Sequence, residues 1–402
     1  MRRRRVKITG IGPVTPAGVG KEPFWSGILE PVSRIRPFNG LGRQYGPVVA
    51  AFMDEFDLGK YADTTLVPNG AARHTQFAVA GTMLALRDAG LSVEELRGGK
   101  VAIVVGAALM DFGSITNSIE SVDRHGIRGS KPRTMYAFNT ASIAGAINQV
   151  LETSARTMAV QSSCCSGIDA IGFAADLVAN GEVDIALCGG TEAPLYRFPL
   201  LELRAAGLTP TTGETPHKVD RPFDLWRTTG VVSEGACMFV LETEESPRPG
   251  YSHIAGYAFA NDEKDDLCSG IATASRMALA DAKLRPDDIE VINAWGPGHK
   301  LIDAGEVRAM RRVFGPSLPE IPAVSIKGAI GNPLGAAAAI QVAAGALGQR
   351  LGTIPPTVNW DFPDPDCPLN LSNRSRHLDH RVTMINAHGL AGVNSSFILE
   401  RC

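Results

Sequence analysis

The chain lacks any apolar run long enough to cross a bilayer. Its longest stretch of small apolar residues, Leu334 to Leu347, is shorter than a membrane span and contains Gln341. Excess charge of either sign is also missing: 39 Lys and Arg stand against 42 Asp and Glu, a net −3 that argues against a nucleic-acid surface or a polybasic membrane patch. The seven cysteines, at 164, 165, 188, 237, 268, 367 and 402, show no CxxC and no repeated spacing, so neither a disulfide framework nor a zinc site is indicated and a reducing cytoplasm is expected. No low-complexity or long polar tract is present, which sets aside disordered and fibrous architectures. The arginine run Arg2 to Arg5 precedes only a short apolar stretch, Val6 to Ile11, and then Pro13; it reads as a solvated lead into a strand rather than a targeting segment.

What is present is a globular composition, 44% hydrophobic and 20% charged, over 402 residues, a length that suits two domains of roughly 200 residues. Short β-branched runs alternate with helical stretches: Val6 to Ile11, Val101 to Gly106, Asp184 to Gly190 and Ala236 to Glu242. The series restarts with His253 to Phe259, Val291 to Trp295, Ala323 to Ile326, Arg381 to Ile385 and Asn394 to Glu400. This predicts an α/β fold in two similar halves, 1–250 and 251–402, joined at the polar Pro/Gly stretch Glu244 to Gly250. Apolar residues at three- and four-residue spacing predict helices over Thr75 to Ala89, Ile168 to Val178 and Ala272 to Ala282.

The segment Val160-Gln161-Ser162-Ser163-Cys164-Cys165-Ser166-Gly167 leads directly into the second of these helices. A thiol there sits near the positive end of the helix dipole, which favours thiolate and would make a nucleophile. The same residues also suit two small cysteines packed beneath a helix start, and spacing alone leaves both readings open.

Other motifs bear on that choice: Val6 to Gly12 with Pro13-Val14-Thr15-Pro16-Ala17-Gly18, then Cys188-Gly189-Gly190-Thr191-Glu192-Ala193, Arg221-Pro222-Phe223-Asp224, Ser233-Glu234-Gly235-Ala236 and Gly392-Val393-Asn394. Over nearly its whole length the chain resembles the β-ketoacyl-acyl-carrier-protein synthases of type II fatty-acid and polyketide assembly. The resemblance implies a thiolase-like fold, layered α-β-α-β-α from two pseudo-twofold-related βαβαβ-type halves, and a dimer formed through the first half. The family nucleophile lies three residues before a glycine, which falls on Cys164; in the family it takes an acyl chain from the phosphopantetheine arm of an acyl-carrier protein as a thioester. No other cofactor is expected.

The resemblance also exposes departures. The family's Asn-Ala-His-Gly strand end appears as Asn293-Ala294-Trp295-Gly296, and its Lys-x-x-x-Gly-His as Lys327-Gly328-Ala329-Ile330-Gly331-Asn332. Trp295 and Asn332 thus stand where two histidines are expected. Lys327, with Asp303 and Glu306, matches the residues that support the family's active-site network. Near the C-terminus, Asn386-Ala387-His388-Gly389-Leu390 replaces an Asn-Ser-Phe-Gly-Phe loop, which puts His388 at an aromatic position and makes Gly389 and Leu390 the gate of the acyl pocket. His388 reads either as a general base for an acceptor attacking a Cys164 thioester or as a polar residue that bonds the loop backbone. His299, four residues from the lost first histidine, reads as structural or exposed.

In the family the paired imidazoles hold the malonyl carbonyl and stabilise the enolate formed on decarboxylation. Indole and amide groups donate hydrogen bonds but accept no proton as a base. Two functions follow. The first is a ketosynthase-like acyltransferase or cyclase of specialised metabolism that loads Cys164 and passes the acyl group to a nucleophile other than decarboxylated malonate. The second is a non-catalytic partner, similar to a chain-length factor, in a heterodimer with an authentic ketosynthase. The retained Cys164, Asp303, Glu306 and Lys327 favour the first.

Overall fold

The computed structural model describes residues 4–210 and 215–402. Arg2 and Arg3 of the arginine run therefore lie outside the described residues. Arg4 and Arg5 lead into the first strand as expected, with Arg4 donating to the Val178 carbonyl at 2.7 Å.

Among the described residues the main sheet has eleven strands, the short Gly18–Val19 pairing off its path, and the path runs through ten: β1 (Val6–Thr15), β2 (Val101–Gly106), β3 (Arg156–Val160), β4 (Ile185–Glu192), β5 (Gly235–Thr243), β6 (Ser252–Asn261), β7 (Val291–Asn293), β8 (Ala323–Val324), β9 (Val382–Gly389) and β10 (Val393–Arg401). Their spatial order is β8-β7-β9-β10-β6-β1-β5-β4-β2-β3. Read outward from the middle, the first five and the last five strands repeat one order, and in each set the outer three are parallel while the inner two are antiparallel. One antiparallel bridge, Lys7 to His253, joins the sets. The Glu244 to Gly250 stretch connects β5 to β6 and is pinned by the Lys7 ammonium, which donates to the carbonyls of Ser246 and Arg248 at 2.8 and 2.7 Å.

Apart from β3 and parts of β6, strand residues are buried on both faces, which is why they read as continuous apolar runs rather than as alternation. Along β2, Ala102 and Val104 face a central core, while Val101, Ile103 and Val105 face an outer one. The central core is filled by α2 (Ser166–Ala179) and α5 (Ala337–Leu351), which pack against each other and against both strand sets. On the outer faces lie α1 (Arg73–Ala89) over the first set and α3 (Ser269–Ala282) with α4 (Lys300–Phe314) over the second. The result is the expected five-layered, thiolase-like α-β-α-β-α arrangement with two pseudo-twofold-related halves. The small apolar run Leu334 to Leu347 supplies most of α5, buried nearly all round.

Strand β3 was not legible in the sequence. It is the terminal strand of the network, and Arg156, Thr157 and Met158 are exposed, so it carries no apolar run to detect. Its position matters because it feeds the turn that carries Cys164.

Helices α2 and α5 begin where backbones touch. A Cβ on Gly106 would lie 2.1 Å from the Ser166 carbonyl oxygen, and one on Gly335 would lie 2.3 Å from the Ala108 nitrogen. Gly106→Ala forces backbone against backbone at the start of α2. It is expected to lower stability by about 1–3 kcal/mol, read by denaturant unfolding.

Candidate active site

Cys164 sits in a pinned strand-to-helix turn. After β3 the chain passes through Ser163, at φ 55°, into a single 3-10 turn, Ser163–Cys165, and then α2. The Ser166 hydroxyl donates to the Ser163 carbonyl at 2.5 Å and accepts from the Ser162 N–H at 2.9 Å. Asp169, one turn into α2, accepts from the hydroxyls of Ser162, Ser395 and Tyr257 and ties the turn to β10 and β6. The helix thus starts at Ser166 and both cysteines belong to the turn. They diverge: Cys164 lines a cavity, whereas Cys165 is fully buried with its thiol directed at the Val393 carbonyl, 3.5 Å away.

The helix-start argument favours a Cys164 thiolate, and burial opposes it. Burial pushes the thiol up to about 11; the Ser163 hydroxyl and the Leu390 backbone N–H at the sulfur draw it down, while Glu192 pushes it further up. Burial also raises Glu192, to about 8, although it accepts the N–H groups of Ala108, Leu109 and Gly335. Desolvation of the sulfur outweighs its hydrogen bonds, so the resting group is a thiol. Because the shift is upward, the thiolate fraction grows about tenfold per pH unit through the neutral range. Alkylation of Cys164 by iodoacetamide is expected to follow that slope from about pH 7 to pH 9. A plateau near neutrality would show that a thiolate is stabilised after all.

The cavity holds about 60 Å³ of free space, close to the liquid volume of two waters, and Cys164, Trp295, His299, Asn332, His388 and Leu390 lie on its walls. Trp295 is 2% exposed. Its backbone N–H and that of Gly296 donate to Glu306, each at 2.8 Å, and its carbonyl accepts from the Lys327 ammonium at 2.5 Å. The same ammonium lies 3.8 Å from the indole centroid and donates to Gln341 at 2.9 Å. Lys327 is therefore a fully enclosed cation, lowered to about 7 by burial, with Glu306, Asp220 and Asp303 opposing. Asp303 holds the Phe223 N–H at 2.8 Å and is pushed up to about 7 by burial. The three residues expected to support the site thus surround Trp295 from behind.

Asn332 is held through its backbone, its N–H donating to the Val231 carbonyl at 2.7 Å and its carbonyl accepting from the Ser233 N–H at 3.0 Å. Its side-chain oxygen is buried without a hydrogen-bond partner. Gly389 packs on the nucleophile turn, where an added Cβ would sit 2.9 Å from Ser163 Cβ and 3.0 Å from the Cys164 nitrogen. Leu390, just past the end of β9, is 53% exposed at the cavity mouth.

His388 does not bond the loop backbone. Its Nδ1 meets the Asn394 side-chain oxygen at 2.8 Å, across the register pair that β9 and β10 make there. The Asn394 amide nitrogen donates to Asp262 at 2.7 Å and to the Gly392 carbonyl at 2.9 Å. His299 caps α4, its Nδ1 accepting the Leu301 and Ile302 N–H groups at 3.3 and 3.4 Å. Burial, with Arg227 nearby, lowers its pKa.

Sequence reasoning thus named Cys164, Trp295, Asn332, His388, Gly389 and Leu390, and the fold brings all six to one cavity; Lys327, Asp303 and Glu306 stand behind it. It passed over His299 as a wall residue, although an imidazole just before a helical stretch is a capping signal. Asn394 stood in a quoted motif without a role. Asp262 lies in an acidic stretch with nothing to single it out.

The layered fold thus puts a buried cysteine on a cavity wall at the start of a central helix. The β-ketoacyl synthase N-terminal domain matches residues 3–246 and the β-ketoacyl synthase C-terminal domain residues 251–361. The chain belongs to the β-ketoacyl synthase family. It is 27% identical to the 3-oxoacyl-[acyl-carrier-protein] synthase 2 of Coxiella burnetii, over 100% of this chain and 99% of that protein. Among solved structures, the ishigamide ketosynthase/chain length factor matches with a TM-score of 0.92, 31% identity and full coverage of both chains. A type II polyketide ketosynthase, in complex with its acyl-carrier protein and bound to a hexaketide, matches with a TM-score of 0.91, 26% identity and full coverage of both chains. No helix among the described residues is long and apolar enough to cross a membrane.

Proposed function

We propose that this chain is an acyl-carrier-protein-dependent acyltransferase or cyclase that loads Cys164 and passes the acyl group on without decarboxylative elongation. The observation that carries this reading is the shared cavity of Cys164 and His388, with Trp295 and Asn332 on the walls where the family resemblance places two histidines. Loading moves one proton: His388 takes it from the Cys164 thiol, the sulfur attacks the carrier thioester, and the phosphopantetheine thiolate leaves and is protonated by His388. Leu390 lies on the same cavity wall as Cys164, and its backbone N–H would serve the acyl carbonyl there. A cavity of about 60 Å³ favours a short acyl group unless Leu390 swings away from the mouth.

The partners in this reading are an acyl-carrier protein and a second ketosynthase-like subunit. Met135, Tyr136, Ile127 and Met158 are exposed in the first half, Met158 on the terminal strand β3, and they supply an apolar surface for a homodimer or heterodimer. The second reading, a chain-length-factor-like subunit without chemistry, is favoured by the raised Cys164 thiol and the small cavity. Intact-mass measurement after incubation with acyl-carrier proteins bearing different acyl groups separates the two. A single acyl adduct is expected for the transferase.

A further inference from the structure

The two histidines on the cavity wall are held in opposite ways. Around Asn394, the amide nitrogen faces the Asp262 carboxylate at 2.7 Å and the Gly392 carbonyl at 2.9 Å, both of them acceptors. The amide can be oriented only with its oxygen toward His388, so His388 Nδ1 is the donor and carries the proton. Asp262 is itself fixed by the start of α3, accepting the Cys268 and Gly270 N–H groups at 3.0 and 2.9 Å. A Cβ on Gly270 would fall 2.3 Å from the Asn394 amide nitrogen, so the amide occupies space that a side chain there would fill. A neutral His388 therefore has its Nε2 as a hydrogen-bond acceptor.

At His299 the logic is reversed. Its Nδ1 accepts two backbone N–H groups, so a neutral ring carries its proton on Nε2. The lowered pKa keeps that ring neutral at pH 7.

Resting on the acyl-transfer reading, we propose that His388 and His299 form an acceptor-donor pair that takes over from the two missing histidines, with Asn394 and Asp262 as positioning residues. An acceptor nucleophile bearing hydrogen, an amine or alcohol, gives its proton to His388 Nε2 as its heavy atom bonds the acyl carbon of the Cys164 thioester. The carbonyl electron pair moves onto oxygen, where His299 Nε2–H and the Leu390 N–H donate to it. Collapse breaks the carbon-sulfur bond, and the Cys164 sulfur recovers the proton from His388. The products are the acylated acceptor and the free thiol.

The test uses the full chain labelled with 15N-histidine, its resonances assigned with His388→Gln and His299→Gln variants. His388 is expected to show a protonated Nδ1 and His299 a protonated Nε2. Asn394→Leu should abolish the fixed His388 tautomer. In single-turnover release from acyl-Cys164 to hydroxylamine, His388→Gln should slow release about a hundredfold or more. His299→Asp keeps an acceptor for the helix-start N–H groups but carries no hydrogen to donate, and should slow release about a hundredfold with unchanged melting. The opposite tautomer at either ring, a His388 tautomer unmoved by Asn394→Leu, or full-speed release by His299→Asp overturns the proposal. Expected tautomers with no adduct on Cys164 overturn the acyl-transfer reading and the pair's catalytic role with it, leaving the tautomer assignment alone standing.

Discussion

Cys164→Ala is expected to remove the acyl adduct completely, and Cys165→Ala to leave it in place. Both residues are buried thiols in the same 3-10 turn, so composition and neighbourhood do not separate them. Geometry does. Cys164 faces the cavity, whereas the Cys165 thiol is spent on the Val393 carbonyl. Losing that weak hydrogen bond in Cys165→Ala should cost about 1 kcal/mol or less. Burial raises both thiols, so loading depends on a base that removes the Cys164 proton during attack and not on a standing thiolate. His388→Gln should accordingly slow loading while the slow, pH-driven alkylation of Cys164 persists. Peptide mapping of the intact adduct checks the site. No adduct from any tested carrier protein, combined with full pathway function of Cys164→Ala beside another ketosynthase, would falsify the transferase reading and make this chain a chain-length-factor-like subunit.

The purified protein is expected to release carbon dioxide from malonyl-carrier protein at least about a thousandfold more slowly than an elongating synthase. Loss of one well-placed donor typically costs two to three orders of magnitude, and the family resemblance puts Trp295 and Asn332 where both imidazoles are expected. Trp295 is no simple stand-in. Its backbone is clamped between Glu306 and Lys327, and its ring lies under the Lys327 ammonium, so the indole forms part of the wall. The variant Trp295→His with Asn332→His should recover a part of the decarboxylation. It should also destabilise the protein by about 2–4 kcal/mol, because a smaller ring leaves a void under an enclosed cation. Carbon dioxide release by the unmodified chain at the rate of an ordinary synthase would remove the basis for a non-elongating role.

The elements that were legible in advance are those whose signal is local. Strands β2, β4, β5, β9 and β10 are buried on both faces and announce themselves as continuous apolar runs; α1, α2 and α3 show their three- and four-residue spacing. Strand β3 was missed because a mostly exposed terminal strand has no such run. The upward pull on the Cys164 thiol was not legible for a related reason: a helix start is visible in sequence, but the burial that opposes it belongs to a cavity that both halves enclose.

Motif spacing by itself carried the family resemblance and, through it, the expectations that Cys164 is the nucleophile and that Trp295 and Asn332 stand where two histidines are expected. Those are properties of residue identity at fixed offsets, and no folding is needed to read them. Only the tertiary structure decided that Lys327 is enclosed behind Trp295, that Cys165 turns away, and that His299 joins the cavity wall. It alone also gave His388 its partners, Asn394 from the next strand and Asp262 from the segment just after β6, more than a hundred positions earlier. A hydrogen-bonded tautomer depends on which atoms face one another across strands, and residues so far apart in the chain acquire that relation only when the sheet closes.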